Sequence, residues 1–141
     1  MMPMLIARKN KADAEERAMQ LLSSVGLADR RDSRPNQLSG GQNQRVAVAR
    51  ALANGPSIVI GDELTGNLDT KSSDLIYNLL RELNHKINQT FILVTHDMAL
   101  AEKTDRILRI VDGKIVCEMR RRDDGFITTE RCDLEKDEKG Q

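Results

Sequence analysis

Residues 37–52 read Gln37-Leu-Ser-Gly-Gly-Gln-Asn-Gln-Arg-Val-Ala-Val-Ala-Arg-Ala-Leu52, and this stretch decides how the rest of the chain is interpreted. Ser39 can cap a helix, and Gln42, three residues later, completes a capping box. Gly40 and Gly41 leave backbone N–H groups open to an anion, which the helix dipole also favours. Taken alone, the five residues from Leu38 to Gln42 fit an ordinary capped helix equally well.

Two apolar strands follow, and each ends in polar residues. The first reads Ile58-Val-Ile-Gly-Asp62-Glu63, and the second, 91–94, is followed by Thr95-His96-Asp97. Continuous apolar runs of this length are typical of strands buried on both faces of a parallel sheet, and ligands bind at the carboxyl ends of such strands. In isolation, an acidic pair that ends a strand is usually solvated, and a lone histidine in a turn is usually structural.

Helical spacing of apolar residues appears within 11–25 and 70–83, and the helix opened by Ser39 is expected to run through Ala53. Leu75, Ile76, Leu79, Leu80 and Leu83 are the expected buried positions of the 70–83 helix. Strands alternating with helices predict the α/β class with a parallel sheet.

The end of the chain carries two further signals. The runs 106–111 and 114–119 flank Asp112-Gly113, a strong hairpin signal. From Arg120 onward charged residues dominate, which predicts a mostly disordered tail.

Composition narrows the classes of function. The 141 residues contain 22 Lys and Arg against 22 Asp and Glu, so no net charge draws the chain toward nucleic acid. No apolar run approaches the roughly 20 residues of a membrane span, and the first charges follow the apolar N-terminus instead of preceding it, unlike a signal peptide. We expect a cytoplasmic protein, peripheral to the membrane through a partner, with Cys117 and Cys132 as isolated reduced thiols.

In this order, the motifs resemble the second half of an ATP-binding cassette (ABC) nucleotide-binding domain. The resemblance covers about 1–119 and implies a partial P-loop NTPase (RecA-like) parallel sheet with an ABC helical subdomain, ending in a β-hairpin and a charged tail. It implies three regions: residues 1–54 as the helical subdomain with the signature helix, 55–119 as the C-terminal part of the RecA-like core, and 120–141 as the tail.

The resemblance also implies site residues. The signature, which grips the γ-phosphate of an ATP held by the other subunit, falls on Ser39, Gly40, Gly41 and Gln42. The D-loop at the dimer interface falls on Asn67 and Asp69, and Asp69 is also a natural cap for the next helix.

The two strand ends carry the implied catalytic groups. Asp62 would hold Mg²⁺, through water, and Glu63 would orient or deprotonate the attacking water. His96 would donate to the γ-phosphate. The family usually has proline where this chain has Leu64, so no ring fixes φ there.

The sequence contains no G-x-x-x-x-G-K-[ST] phosphate loop. The resemblance places Met1 just after the family's glutamine loop, so the chain is expected to begin within the domain. The family's strand order would then leave 91–94 with an open edge, which the strand 106–111 could close or which would promote association.

The segment Thr65-Gly-Asn-Leu-Asp69 resembles the corresponding segment of the subfamily that serves lipoprotein-releasing and macrolide-exporting transporters. The function implied is a truncated ATP-binding and ATP-hydrolysing subunit that uses ATP and Mg²⁺ and drives transport. Its partners would be a second ABC ATPase subunit, identical or different, and a transmembrane permease, with no nucleic acid. Without the P-loop, the chain alone is expected to be inactive.

Two alternatives remain at this point. The chain could be a non-catalytic remnant or interaction module that lends its signature in trans to an intact subunit. It could also be the C-terminal lobe of a chromosome-maintenance or DNA-repair ATPase, a class that carries long heptad coiled coils. No such heptads occur in this sequence.

Overall fold

A computed structural model describes residues 1–66, 68–122 and 125–130, the last five of these as backbone only. The helices and strands follow in chain order: α1 Met2–Ile6, α2 Lys11–Ser24, α3 Gly40–Ala51, β1 Ile58–Asp62, α4 Thr70–Ile87, β2 Thr90–Val94, α5 Met98–Ala101, β3 Arg106–Val111, β4 Lys114–Arg122 and β5 Gly125–Glu130. Two short 3-10 turns, Ala28–Arg30 and Pro35–Gln37, connect α2 to α3. Contacts divide the chain into two compact units, Met1–Val94 and a second that begins at Thr95.

The helices of the first unit begin and end where local chemistry predicts. The Asn10 side chain accepts a hydrogen bond from the Asp13 N–H at 2.8 Å, which caps α2, and Gly26 just beyond its end adopts φ +70°. Helix α4 extends beyond the predicted residue 83 to Ile87, where Asn88 ends it in the left-handed conformation with φ +51°.

A single core joins the helices of the first unit to β1. Met4, Val25, Leu52 and Ile76 are fully buried in it, and Val59 of β1 belongs to the same cluster. The boundary predicted between 54 and 55 therefore lies within one compact unit and stays a prediction about its subdivision.

Strands β1 and β2 form a parallel pair in which Val59 lies beside Phe91 and Asp62 beside Val94. The parallel sheet is confirmed, but its predicted burial on both faces is wrong. Ile60 is 70% exposed and Ile92 is 47% exposed, because they lie on the face opposite to the core. Among the described residues neither strand has a second neighbour, and β3 belongs to a separate sheet, so it does not close the edge of β2.

Helix α4 buries one face as its spacing predicts. Ile76, Leu80 and Leu83 lie in the core, whereas Leu75 is 53% exposed, contrary to its predicted burial. Leu75 lies about 100° around the helix from Ile76, which turns it out of the face that meets the core.

The second unit contains α5 and an antiparallel sheet of order β3-β4-β5. The predicted hairpin is confirmed: Asp112 and Gly113 both have positive φ, +48° and +73°, as a type I′ turn requires. Cys117 is buried and disulfide-bonded, which corrects its expected free thiol. Cys132 lies outside the described residues.

For residues 120–122 and 125–130 the expected disordered tail is wrong. Strand β4 continues to Arg122, and β5 pairs with it, with Arg120 beside Ile127. The extra strand satisfies backbone groups that the edge of an isolated hairpin would expose. The remainder of the predicted tail, residues 123–124 and 131–141, lies outside the described residues.

No helix in the described part of the chain combines the length and the apolar composition that crossing a membrane requires.

Candidate functional site

The N-terminus of α3 is built by the capping box that the sequence predicts. The Ser39 hydroxyl accepts from the Gln42 N–H at 3.2 Å, and the Gln42 side-chain oxygen accepts from the Ser39 N–H at 2.9 Å. Ser39 and Gly40 are exposed. The reciprocal bonds therefore hold the first turn of the helix in place while its leading edge faces solvent.

The segment before α3 is tied to the helix as well. Asn43 donates through its side-chain nitrogen to the backbone oxygens of Pro35 at 3.1 Å and Leu38 at 3.2 Å. This amide spans the 3-10 turn and the cap, so Asn43 helps to fix the direction from which the chain enters α3.

Both glycines of this turn lie close to the start of α4. A methyl group added at Gly40 would lie 3.3 Å from Leu68 Cδ2, and one added at Gly41 would lie 3.6 Å from Ser72 Cβ and Oγ. The absence of side chains therefore allows the N-termini of α3 and α4 to approach each other. Because each helix N-terminus carries a partial positive charge, this place favours an anion.

Asp69 caps the N-terminus of α4, which lies close to the N-terminus of α3. Its carboxylate accepts from the Ser72 hydroxyl at 2.7 Å and from the Ser72 N–H at 3.0 Å. These two hydrogen bonds, the hydroxyl first, lower the pKa of the Asp69 carboxyl below its ordinary value. Asn67, the other predicted D-loop residue, lies outside the described residues.

A shallow cleft of about 310 Å³ opens between these two helix starts. Its lining includes Ser39, Gly41 and Ser72 and two basic residues that the sequence reasoning missed, Arg30 and Arg45. Helical periodicity could have found Arg45, which lies four residues after Gly41 on the same face of α3. Nothing in the sequence places Arg30 there, since it comes from a 3-10 turn and pairs with Asp29 at 3.3 Å.

The predicted carboxylates lie at and just beyond the carboxyl end of β1. Asp62 is the last residue of the strand and is exposed. Glu63 follows with φ +46°, a conformation that non-glycine residues rarely adopt. The Glu63 N–H donates to the Val94 oxygen at 2.9 Å, and the Glu63 oxygen accepts from the Gly66 N–H at 3.1 Å.

His96 belongs to the second unit, in the turn before α5, and is exposed. Asp97 caps α5 by accepting from the Ala99 N–H at 2.9 Å, and its own N–H donates to the Thr95 hydroxyl at 3.0 Å. The turn that carries His96 is thus held by its neighbours on both sides.

The structure brings Ser39, Gly41, Gln42 and Asp69 to two adjoining helix starts, and it places Asp62 at the end of β1 and Glu63 in the turn that follows. Within the described residues, no three metal-ligating side chains converge. The capped start of α3 and the exposed Asp62 carboxylate have the donor and acceptor groups that an anion and a hydrated cation need. They do not fit a complete phosphate cradle, because the sequence contains no P-loop motif.

Comparisons with known proteins give a consistent result. The pattern of the family described as ABC transporter matches residues 1–66. The chain is 46% identical over 134 residues to the lipoprotein-releasing system ATP-binding protein LolD 1 of Chlorobium chlorochromatii (strain CaD3), a match that covers 94% of this chain and 54% of that protein.

Two solved structures are similar as well. MJ1267, an ATP-binding cassette of an ABC transporter in its ADP conformation, matches with a TM-score of 0.74 and 26% identity over 79% of this chain and 44% of that one. The dimeric structure of MJ0796, a bacterial ABC transporter cassette, matches with a TM-score of 0.66 and 42% identity over 81% of this chain and 50% of that one. The chain spans about half the length of the relatives it matches.

Proposed function

Because the chain belongs to the ATP-binding cassette family, we propose that it contributes the signature and Walker B part of an ATPase subunit that drives an ABC transporter. The observation that carries the proposal is the exposed N-terminus of α3, which a reciprocal capping box orders and whose two glycines lie close to the start of α4. In this proposal the chain acts at the cytoplasmic face, with a second cassette and a transmembrane permease as partners.

The signature surface binds an anion that another subunit presents. Ser39 and Gly40 are exposed and Gly41 is half-buried in a first turn that the capping box fixes, and the helix dipole adds to the attraction of its N–H groups for an anion. The Gln42 side-chain oxygen is engaged with the Ser39 N–H. We therefore assign Gln42 mainly to shaping the turn and Ser39, Gly40 and Gly41 to contacting the γ-phosphate.

The turn after β1 serves the metal and the water. Bound Mg-ATP supplies the phosphoanhydride that is cleaved and a cation that offsets phosphate charge. Asp62, exposed at the strand end, would hold the cation, and Glu63 would orient the attacking water as general base. His96 donates a hydrogen bond to the γ-phosphate.

Most contacts to the phosphates of a P-loop ATPase come from the backbone and lysine of the P-loop itself. This sequence contains no such motif. We therefore expect no turnover and only weak Mg-ATP binding by the purified chain, which isothermal titration calorimetry and phosphate release measure. The nucleotide that the signature of this chain contacts is the one held by the P-loop of a partner cassette.

The test uses a full-length related cassette whose own signature serine is replaced by arginine, so that its homodimer is inactive. Adding the present chain supplies an intact signature opposite the P-loop of that cassette. We expect ATP hydrolysis to return with the wild-type chain and to be lost with Ser39→Arg.

The matched control is Ser23→Arg, which makes the same change at an exposed position near the end of α2. It should support hydrolysis as the wild-type chain does. If the wild-type chain associates with the cassette but restores no hydrolysis, or if Ser39→Arg restores it equally well, the proposed role of the signature is wrong.

A further inference from the structure

The turn that carries Glu63 is built around Gly61 and Leu64. Gly61 lies one residue before the end of β1 and is buried on the core side of the strand. A Cβ added at Gly61 would clash with Leu64 Cδ1 and would lie 3.4 Å from Leu93 Cδ2. The Leu64 side chain thus folds back over Gly61 and occupies the space where any other residue would have a side chain.

The contact between Gly61 and Leu64 joins the two sides of Glu63, the residue whose backbone is strained. Glu63 lies between the strand and Leu64 in sequence and adopts φ +46°. In this conformation the Cβ of any residue other than glycine meets steric repulsion from the backbone. Such a conformation persists only where its surroundings over-determine it. Two backbone hydrogen bonds hold Glu63, one to Val94 and one from Gly66. Leu64 supplies the apolar anchor, since it packs against the core cluster.

We propose that Leu64, seated on Gly61, is the positioning residue that fixes the conformation of Glu63 and so aims its carboxylate. This rests on the proposed function only in taking Glu63 as the group that orients water. Gly61 is required because its missing side chain creates the seat. The pair is therefore coupled: a side chain at residue 61 displaces Leu64, and a shortened residue 64 leaves Glu63 without its anchor.

The test compares Leu64→Ala with Leu93→Ala in the full chain by NMR. Leu93 lies beside the same space above Gly61 and is partly buried against the same core, so its truncation removes the same number of atoms from β2 and none from the turn residues 63–66. Two quantities are measured at Glu63: the amide-to-Cα proton coupling, which depends on φ, and the exchange rate of the N–H bonded to Val94.

Leu64→Ala should shift the Glu63 coupling away from its left-handed value and speed exchange of its amide by about tenfold relative to core amides, because the turn opens locally. Leu93→Ala should leave both unchanged at Glu63 even though it lowers stability. Leu64→Met, which keeps an apolar side chain of similar volume over Gly61, should retain most of the protection.

Gly61→Ala provides the second arm. It should disturb Glu63 as Leu64→Ala does, and Gly61→Ala with Leu64→Ala should unfold at higher urea than Gly61→Ala alone, because the clash is gone. If Leu64→Ala lowers stability as Leu93→Ala does but leaves the Glu63 coupling and exchange unchanged, Leu64 is merely a packing residue. These NMR and urea measurements use no nucleotide. They therefore test the role of Leu64 even if the hydrolysis assay of the signature fails.

Discussion

The Asp69 carboxylate caps the start of α4. Its pKa is lowered by the Ser72 hydroxyl and then by the Ser72 N–H. Since the folded-state pKa lies below the unfolded value of about 3.9, Asp69 stabilises the fold at pH above that value, and the contribution is lost as pH falls through the folded pKa. Ser72→Ala removes the largest cause, so the Asp69 pKa should rise toward its ordinary value in an NMR titration.

Ser73→Ala is the control for this titration, because the neighbouring serine contacts Asp69 only through its backbone, by an N–H bond of 2.9 Å to the Asp69 oxygen. It should leave the Asp69 pKa where it is. An unchanged pKa in Ser72→Ala would show that the hydroxyl does not set the titration.

Ser39 carries a structural and a proposed functional role that substitutions can separate. Ser39→Ala removes the capping oxygen that accepts from the Gln42 N–H, which should lower the free energy of unfolding by about 1 kcal/mol in urea denaturation. Ser39→Asn keeps a capping oxygen, so it should retain stability. If Ser39→Asn loses hydrolysis in the mixed-cassette assay while it keeps its stability, the loss is due to the missing phosphate contact of Ser39 and not to a missing helix cap.

At the scale of an element, α4 offers two neighbouring aliphatic residues in opposite surroundings. Ile76 is 1% exposed and Leu75 is 53% exposed. Ile76→Ala leaves a cavity in the core and should lower the free energy of unfolding by about 2–5 kcal/mol. Leu75→Ala makes the same kind of truncation on the surface, where changes stay within about 0.5 kcal/mol. If urea denaturation shows that both substitutions lower the free energy of unfolding equally, the assignment of Ile76 to the buried face of α4 and Leu75 to its exposed face is wrong.

At the scale of the whole molecule, the parallel sheet of the first unit presents an apolar surface. Ile58, Ile60, Ile92 and Val94 are each about half exposed or more on one face, and in the described residues β2 has a strand on only one side. Exposed apolar faces and open strand edges favour association. We expect the apparent mass in sedimentation velocity to rise with concentration and Ile60→Lys to weaken that rise.

Ile87→Lys is the matched control for association, since Ile87 is also about half exposed, at 55%, but lies at the end of α4 and not on the sheet. It should associate as the wild type does. Equal weakening by both substitutions would show that added charge, and not the sheet face, governs association.

Features encoded within a few residues could be predicted from the sequence. The capping box from Ser39 to Gln42, the cap at Asp69 and the Asp112-Gly113 hairpin all appear where the pattern places them. The reason is that caps and tight turns depend on hydrogen bonds and backbone conformations among adjacent residues. The order of the motifs was likewise sufficient to predict the family, because it is a property of the linear chain.

Tertiary structure alone decided the features that join distant segments. The exposed face of Ile60 and Ile92, the position of Arg30 in the cleft and the pairing of β5 with β4 depend on which surfaces meet. The seat of Leu64 on Gly61 belongs to the same class, since an apolar run at a strand end does not reveal which way the next side chain folds. The pattern of apolar residues in the sequence indicates which residues can be buried. Only the folded structure determines which other residues they pack against.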